Sequence, residues 1–375
     1  MLSYGCQLWF IAGGSKSLVK KVQQVQNEMV RIVAGAFRTA LREPLCHLTR
    51  MLPMEQYLEK LTHTLALRLY RLPRSSQLLR RLGSDWYSPH HEDFPLVVPQ
   101  SSPQRGGGNR RPTVLEALAW RVPSHGPKVD LMVIAPWEIP VWAAQTSHWG
   151  VTNPAARKDW VQLLVESGLN SSTSMFFTAA KVTQRDVGDL TEVGGTGVVS
   201  LRGGEEPHSQ RWMVGSEVTQ FDANCFALAK AAECLATTYT ADIDCPPVVY
   251  FFSSDNSVLQ TIRNPRSTKA HSFCVHFHKA LTTFFLSHRD IRLVLAWSPK
   301  NDALALDLLT RNCAVEACKE FPPQGMDSVQ SAAYQKNRAR AKAFSEWADT
   351  YNRNHLLETA RTGSLTDRSE ESVRL

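Results

Sequence analysis

Short metal and redox motifs are missing from this sequence. Its eight cysteines are Cys6, Cys46, Cys225, Cys234, Cys245, Cys274, Cys313 and Cys318, and no two stand in CxxC spacing. That removes the usual zinc-ribbon and thioredoxin-like patterns. Also missing is an apolar run of the roughly 20 residues that a membrane helix needs, so no span and no membrane partner are expected. The start, MLSYGCQLWFIAGG, is apolar but has neither the basic leader nor the cleavage site of a secretory signal. Several cysteines lie inside apolar patterns and read as buried thiols. The expected location is therefore intracellular, nuclear or cytoplasmic, and not secreted.

What is present is an ordinary globular composition, 43% hydrophobic and 21% charged over 375 residues. This length is enough for two domains or more. The net charge of +7 is uneven: residues 1–125 hold 17 Lys and Arg against 8 Asp and Glu, a balance of +9, which leaves −2 for the rest. A basic front half suits a polyanionic partner.

The chain divides by pattern into four parts. Residues 1–97 read as a helical module. In SLVKKVQQVQNEMVRIVA (17–34), Val22, Val25, Met29 and Val33 fall at helical spacing, with Lys20, Lys21, Gln24 and Arg31 on the other face. A second helix near 54–72 aligns Leu58, Leu61, Leu65 and Leu69 and stops before Pro73. Residues 98–169 form a connector. It opens with VPQSSPQRGGGNRRP, which has linker composition, and goes on through residues 113–150, where APWEIPVW reads as extended and Pro-broken and to which the pattern assigns no fold. Residues 170–320 alternate strands and helices. MFFT, GGTGVVSL and QRWMVGSEV make a meander. A helix over 222–238, the strand VVYFFSS, helices at NSVLQTI and 268–287, the strand IRLVLAW and a helix over 302–320 follow. This predicts an α/β fold with a mixed five-stranded sheet and covering helices. Residues 321–375 hold a basic helix (336–353), with Phe344, Trp347 and Tyr351 on one side, and a polar tail expected to lack structure after 360.

The meander poses a chemical question. The strand Met175–Thr178 in SSTSMFFTAAK is expected to stop on Ala179 and Ala180, which bring neither turn chemistry nor a polar group. The order of phrases around it resembles the RNase H domain at the C-terminal end of LINE-type (non-LTR) retrotransposon reverse transcriptases, of a fungal kind. FFTAAK stands for strand-plus-TDGS, FDANCFALAKA for F-D-A-E-L-x-A-L, FFSSDNSVLQTI for strand-plus-SDS, and AWSPKN with CAVEACK for W-x-P-G-H and the last helix. The front phrases YGCQLWF, VQQVQNEMVRIVAGAFRTA and MLPMEQYLEKL look like the region after the polymerase in such elements. The resemblance therefore implies an RNase H-like fold after a small helical module. It also implies that Met1 was once internal to a longer chain.

Members of that family cut the RNA strand of an RNA–DNA hybrid with two divalent ions held by four carboxylates. Carried over by position, those carboxylates fall on Ala179, Asn224, Asp255 and Arg311, so Asp255 is the retained acid and the retained metal ligand. The histidine of W-x-P-G-H falls on Asn301. Four acids carry −4, whereas Asp255 and Arg311 sum to zero. Each lost charge contact is worth about 4 kcal/mol at 4 Å and an effective dielectric near 20. Mg²⁺ also demands hard oxygen ligands, which alkyl and amide groups replace poorly. Asp222 lies about 200° round the helix from Asn224. Asp307 is the better substitute, one turn before Arg311 on nearly the same face.

The resulting expectation is a degenerate RNase H-like protein. It has no bound cofactor and retains at best non-specific binding of RNA–DNA hybrid or RNA. Lys20, Lys21, Arg31, Arg110 and Arg111 are the candidate phosphate contacts. The alternatives are a residual hybrid ribonuclease using Mg²⁺ or Mn²⁺, and a translated remnant without function. His271, Cys274 and His278 share a helical face but show no fourth zinc ligand, and read as ordinary helix residues.

Overall fold

The structure is a computed structural model and describes residues 6–10, 16–73, 76–78, 140–143, 146–149, 159, 173–187, 189–202, 205–216, 218–240, 245–263, 270–298, 305–320 and 332–371. In chain order its elements begin with α1 (Cys6–Trp9), α2 (Lys16–Ala34), α3 (Arg42–Thr49) and α4 (Met54–Tyr70). Then come β1 (Thr146–Trp149), β2 (Thr173–Val187), β3 (Asp189–Arg202), β4 (His208–Ser216) and α5 (Gln220–Thr238). The series closes with β5 (Val248–Ser253), α6 (Asn256–Ile262), α7 (His271–Ser287), β6 (Arg292–Trp297), α8 (Ala305–Ala317) and α9 (Ala332–Glu371). None of the described helices is long and apolar enough to cross a membrane.

Two compact units divide the chain. One comprises Met1–Tyr70, Ser75–Ser124 and Lys336–Leu375; the other comprises Arg71–Arg74 and His125–Gln335. In the first, Cys6, Phe10, Met54 and Leu58 form one small core, and Val30, Cys46, Leu52 and Trp347 form another. The aromatic side of α9 docks here. His47 lies 3.9 Å from both Trp347, which it stacks on, and Tyr351, as ring centroids. Beyond residue 360, where no structure is expected from composition, α9 continues to Glu371. The stretch has no proline, and an established helix gains one hydrogen bond for each residue added.

In the second unit the sheet has six strands in the order β1-β6-β5-β2-β3-β4. The sequence predicts five. The sixth, β1, pairs in parallel with β6 from Thr146 to Trp149. It falls in the segment left without a fold, where four residues are too few to show a period of two. Strands β2, β5 and β6 are parallel neighbours, while β3 runs antiparallel to β2 and β4 antiparallel to β3. Without β1, the order of the remaining five in chain terms is 3-2-1-4-5, which is consistent with an RNase H-like fold. The fold class is therefore α/β with a mixed sheet, as expected.

Each face of the sheet has its own cover. On one, Phe176, Val198, Phe251, Leu293 and Leu295 pack with Ala223, Ala231 and Leu235 of α5 and Phe277 and Leu281 of α7. The alanines let α5 come close to the strands. On the other, Met175, Phe177, Val199, Leu201, Phe252 and Ala296 form a core that Leu306 of α8 joins. Burial on both sides explains why FFT and VVYFFS are unbroken apolar runs.

Candidate functional site

β2 does not stop at the two alanines. It continues to Val187, paired all along with β3. What stops there is its pairing with β5, whose last rung joins Thr178 to Ser253. Ala179 and Asp255 thus lie just beyond that rung, at the same end of two neighbouring strands. Ala179 sits opposite Gly197 of β3 and is buried. A methyl group there offers no ligand atom.

Asp255 is half-buried and caps α6. Its Oδ1 accepts from Ser257 N at 2.9 Å and from Ser257 Oγ at 2.7 Å. Short polar residues are favoured at this position because they satisfy an otherwise orphaned helix N–H. The retained acid therefore already has structural work.

Asn224 comes to the same strand end through a residue that the sequence reading missed. Gln220 begins α5 and donates from Nε2 to Ala180 O at 2.7 Å, while its Oε1 accepts from Val182 N at 3.1 Å. Its Nε2 also reaches Asn224 Oδ1 at 3.5 Å. The sequence signal for Gln220 was its place one helical turn before Asn224. Asp222 is buried and completes a capping box with Thr219, which fixes the start of α5. The thiol of Cys225, next to Asn224, is pushed well up. The hydrogen bond to Cys274 is the main cause, then burial, then the charges of Asp222 and Asp255.

Arg311 sits on α8, across the sheet from α5. A Cβ at Gly197 would collide with Thr310 O and lie 2.8 Å from Cys313 Cβ, and one at Gly195 would meet Cys318 N at 2.7 Å. These glycines let α8 lie directly on β3, with the residue before Arg311 against the partner of Ala179. Asp307, one turn earlier, accepts from Ser298 Oγ at 2.8 Å. Ser298 N in turn donates to Ser253 O at 2.9 Å, and Trp297 Nε1 donates to Ser254 O at 3.0 Å. Asp307 is thereby tied to the ends of β5 and β6, beside the segment that carries Asp255.

This set does not fit a pair of divalent ions. It holds an alkyl group, an amide, one carboxylate that caps a helix and a guanidinium, with Asp307 engaged by a serine. Among the described residues no group of three or more His, Cys, Asp and Glu is arranged to hold a metal. His271, Cys274 and His278 are core residues, buried on α7. Burial, above all, lowers His278 to about 4, and its Nε2 lies 2.8 Å from Ile262 O.

Among the basic candidates, the described ones all lie on α2. Lys20 and Lys21 are exposed on α2 but turned about 100° from each other. Arg31 is half-buried and about 16 Å along the axis from Lys20. Arg110, Arg111, Asn301 and most of 98–169 lie outside the described residues. Elsewhere in the same unit, burial and then the charge of Arg340 hold Lys60 below its ordinary value.

No protein-family model matches the chain, and no curated protein does. Among solved structures, RNase H1 from the halophilic archaeon Halobacterium salinarum NRC-1 is 15% identical, with a TM-score of 0.30 over 40% of this chain and 99% of that one. LC11-RNase H1 in complex with RNA/DNA hybrid is 16% identical, with a TM-score of 0.30 over 39% and 96%. The prototype foamy virus protease-reverse transcriptase is 13% identical, with a TM-score of 0.31 over 47% of this chain and 23% of that one.

Proposed function

We propose that this chain is an RNase H-like protein derived from a LINE-type reverse transcriptase, that its metal site is lost, and that it binds nucleic acid without cutting it. The observation that carries the reading is the strand end itself. Ala179 is buried beside the Asp255 segment, and that aspartate caps α6. The order of the sheet and the run of family phrases support the origin. The balance of +9 over residues 1–125 supports a polyanionic partner, RNA–DNA hybrid or RNA held through phosphates.

The test uses the purified chain, a labelled RNA–DNA hybrid and Mg²⁺ or Mn²⁺. No cleavage is expected, together with a gel shift that weakens steeply between about 50 and about 200 mM salt. Cleavage that disappears in Asp255→Ala overturns the reading. It would favour a residual ribonuclease, for which the tether of Asp307 to the strand ends is the supporting observation. Absence of any shift at low salt leaves a remnant that binds nothing.

A further inference from the structure

Helix α2 is built inside out. The face it buries carries Gln26, Asn27 and Val30. The face it shows to solvent carries Leu18, Val25, Met29, Ile32 and Val33, exposed by 47, 38, 50, 80 and 64%. The buried amides are satisfied. Gln26 Nε2 donates to Leu52 O at 2.8 Å, and Gln23 binds Gln26, Asn27 and Met54 N. The exposed apolar face is not an isolated leucine of the kind common on any surface. It is a stripe along the whole helix, and the chain that leaves α2 adds Phe37 and Leu41, exposed by 86 and 70%.

The stripe has the spacing of a coiled-coil seam. Leu18, Val25 and Ile32 recur every seven residues, and Met29 interleaves four residues after Val25; Val22, four after Leu18, is half-buried against the core of Cys6, Phe10, Met54 and Leu58. In heptad terms the first set occupies d and the second a. Position e falls on Val19 and Gln26, on the side turned into the protein, and on Val33, which is exposed. Position g falls on Lys21 and Glu28, both exposed.

Flanking charges choose the partner and its direction. A parallel copy would set g against e, where this helix offers valine and a buried glutamine. An antiparallel copy sets g against g. With the two-fold axis near residue 25, Lys21 of each copy meets Glu28 of the other, because 21 and 28 are centred on 24.5. The same axis places Leu18 opposite Ile32, centred on 25, with Val25 against its own copy. The apolar register and the charge register therefore fall within about half a residue of each other, close enough for one isologous two-fold contact to satisfy both.

We propose that α2 pairs antiparallel with α2 of a second copy of this chain, through Leu18, Val25, Met29 and Ile32, with Lys21 and Glu28 closing one flank. The inference is independent of any reading of the strand-end site.

Sedimentation velocity of the full chain over a concentration series reads it. A monomer–dimer equilibrium is expected, and Val25→Glu abolishes it while the far-UV circular dichroism of the monomer stays that of the natural chain, since the site is exposed. Lys21→Glu and Glu28→Lys, each alone, place like charges at both pairs and weaken the dimer by about tenfold. Mixed in equal amounts they restore it, because the heterodimer has two opposite-charge pairs. A chain that stays monomeric up to about 100 µM overturns the proposal. So does a dimer that survives Val25→Glu, or two charge variants that fail to rescue each other.

Discussion

Gly197 shows how a single residue positions the candidate site. It has no conformational demand; what it supplies is room, since α8 rests on β3 where a side chain would stand. Gly197→Ala is expected to cost about 1–3 kcal/mol through overpacking. Denaturant unfolding checks this, and the cost falls if α8 shifts outward with Arg311 and Asp307. His278 makes a second prediction. Its folded value of about 4 lies below the ordinary 6.5, so the folded protein resists protonation there. This contribution is complete above pH 6.5 and is lost as pH falls toward 4, amounting to about 3 kcal/mol. A pH series of melts on the natural chain and His278→Gln tests it; the natural chain should lose more stability over that window. Ala179, Asn224 and Arg311 were named from the sequence, because they fall in phrases that keep the family's order. Gln220 was not, because its partners Ala180 O and Val182 N are forty and thirty-eight residues away in the chain.

Among elements, α2 separates what periodicity can show from what it cannot. The sequence predicts a helix over 17–34 with Val22, Val25, Met29 and Val33 as its apolar stripe, and the helix is there. The stripe is not its buried face. Gln23, Gln26 and Asn27 form a polar network whose outside partners, Leu52 O and Met54 N, are 26 and 31 residues away. Gln23→Ala is expected to cost about 1–3 kcal/mol, because it leaves Met54 N and two buried amides short of partners. Thermal melting measures the loss, and a variant as stable as the natural chain would remove the network from the account. In the sheet, the long strands followed from their apolar runs. The four residues of β1 did not, and neither did the length of β2, which depends on its register with β3 and not on local turn chemistry.

For the whole molecule, the sheet order and the charge balance point one way and the site chemistry another. On the proposed reading, the net charge of +7 lets the chain meet a polyanion. On the same reading its strand end has too little negative charge to hold the ions that would cut one. Calorimetric titration with Mn²⁺ tests this point directly, on the natural chain and on Ala179→Asp/Asn224→Glu/Arg311→Asp. The account predicts no saturable binding by the natural chain and saturable binding by the triple variant. Saturable binding of two ions by the natural chain, lost in Asp255→Ala, would contradict it.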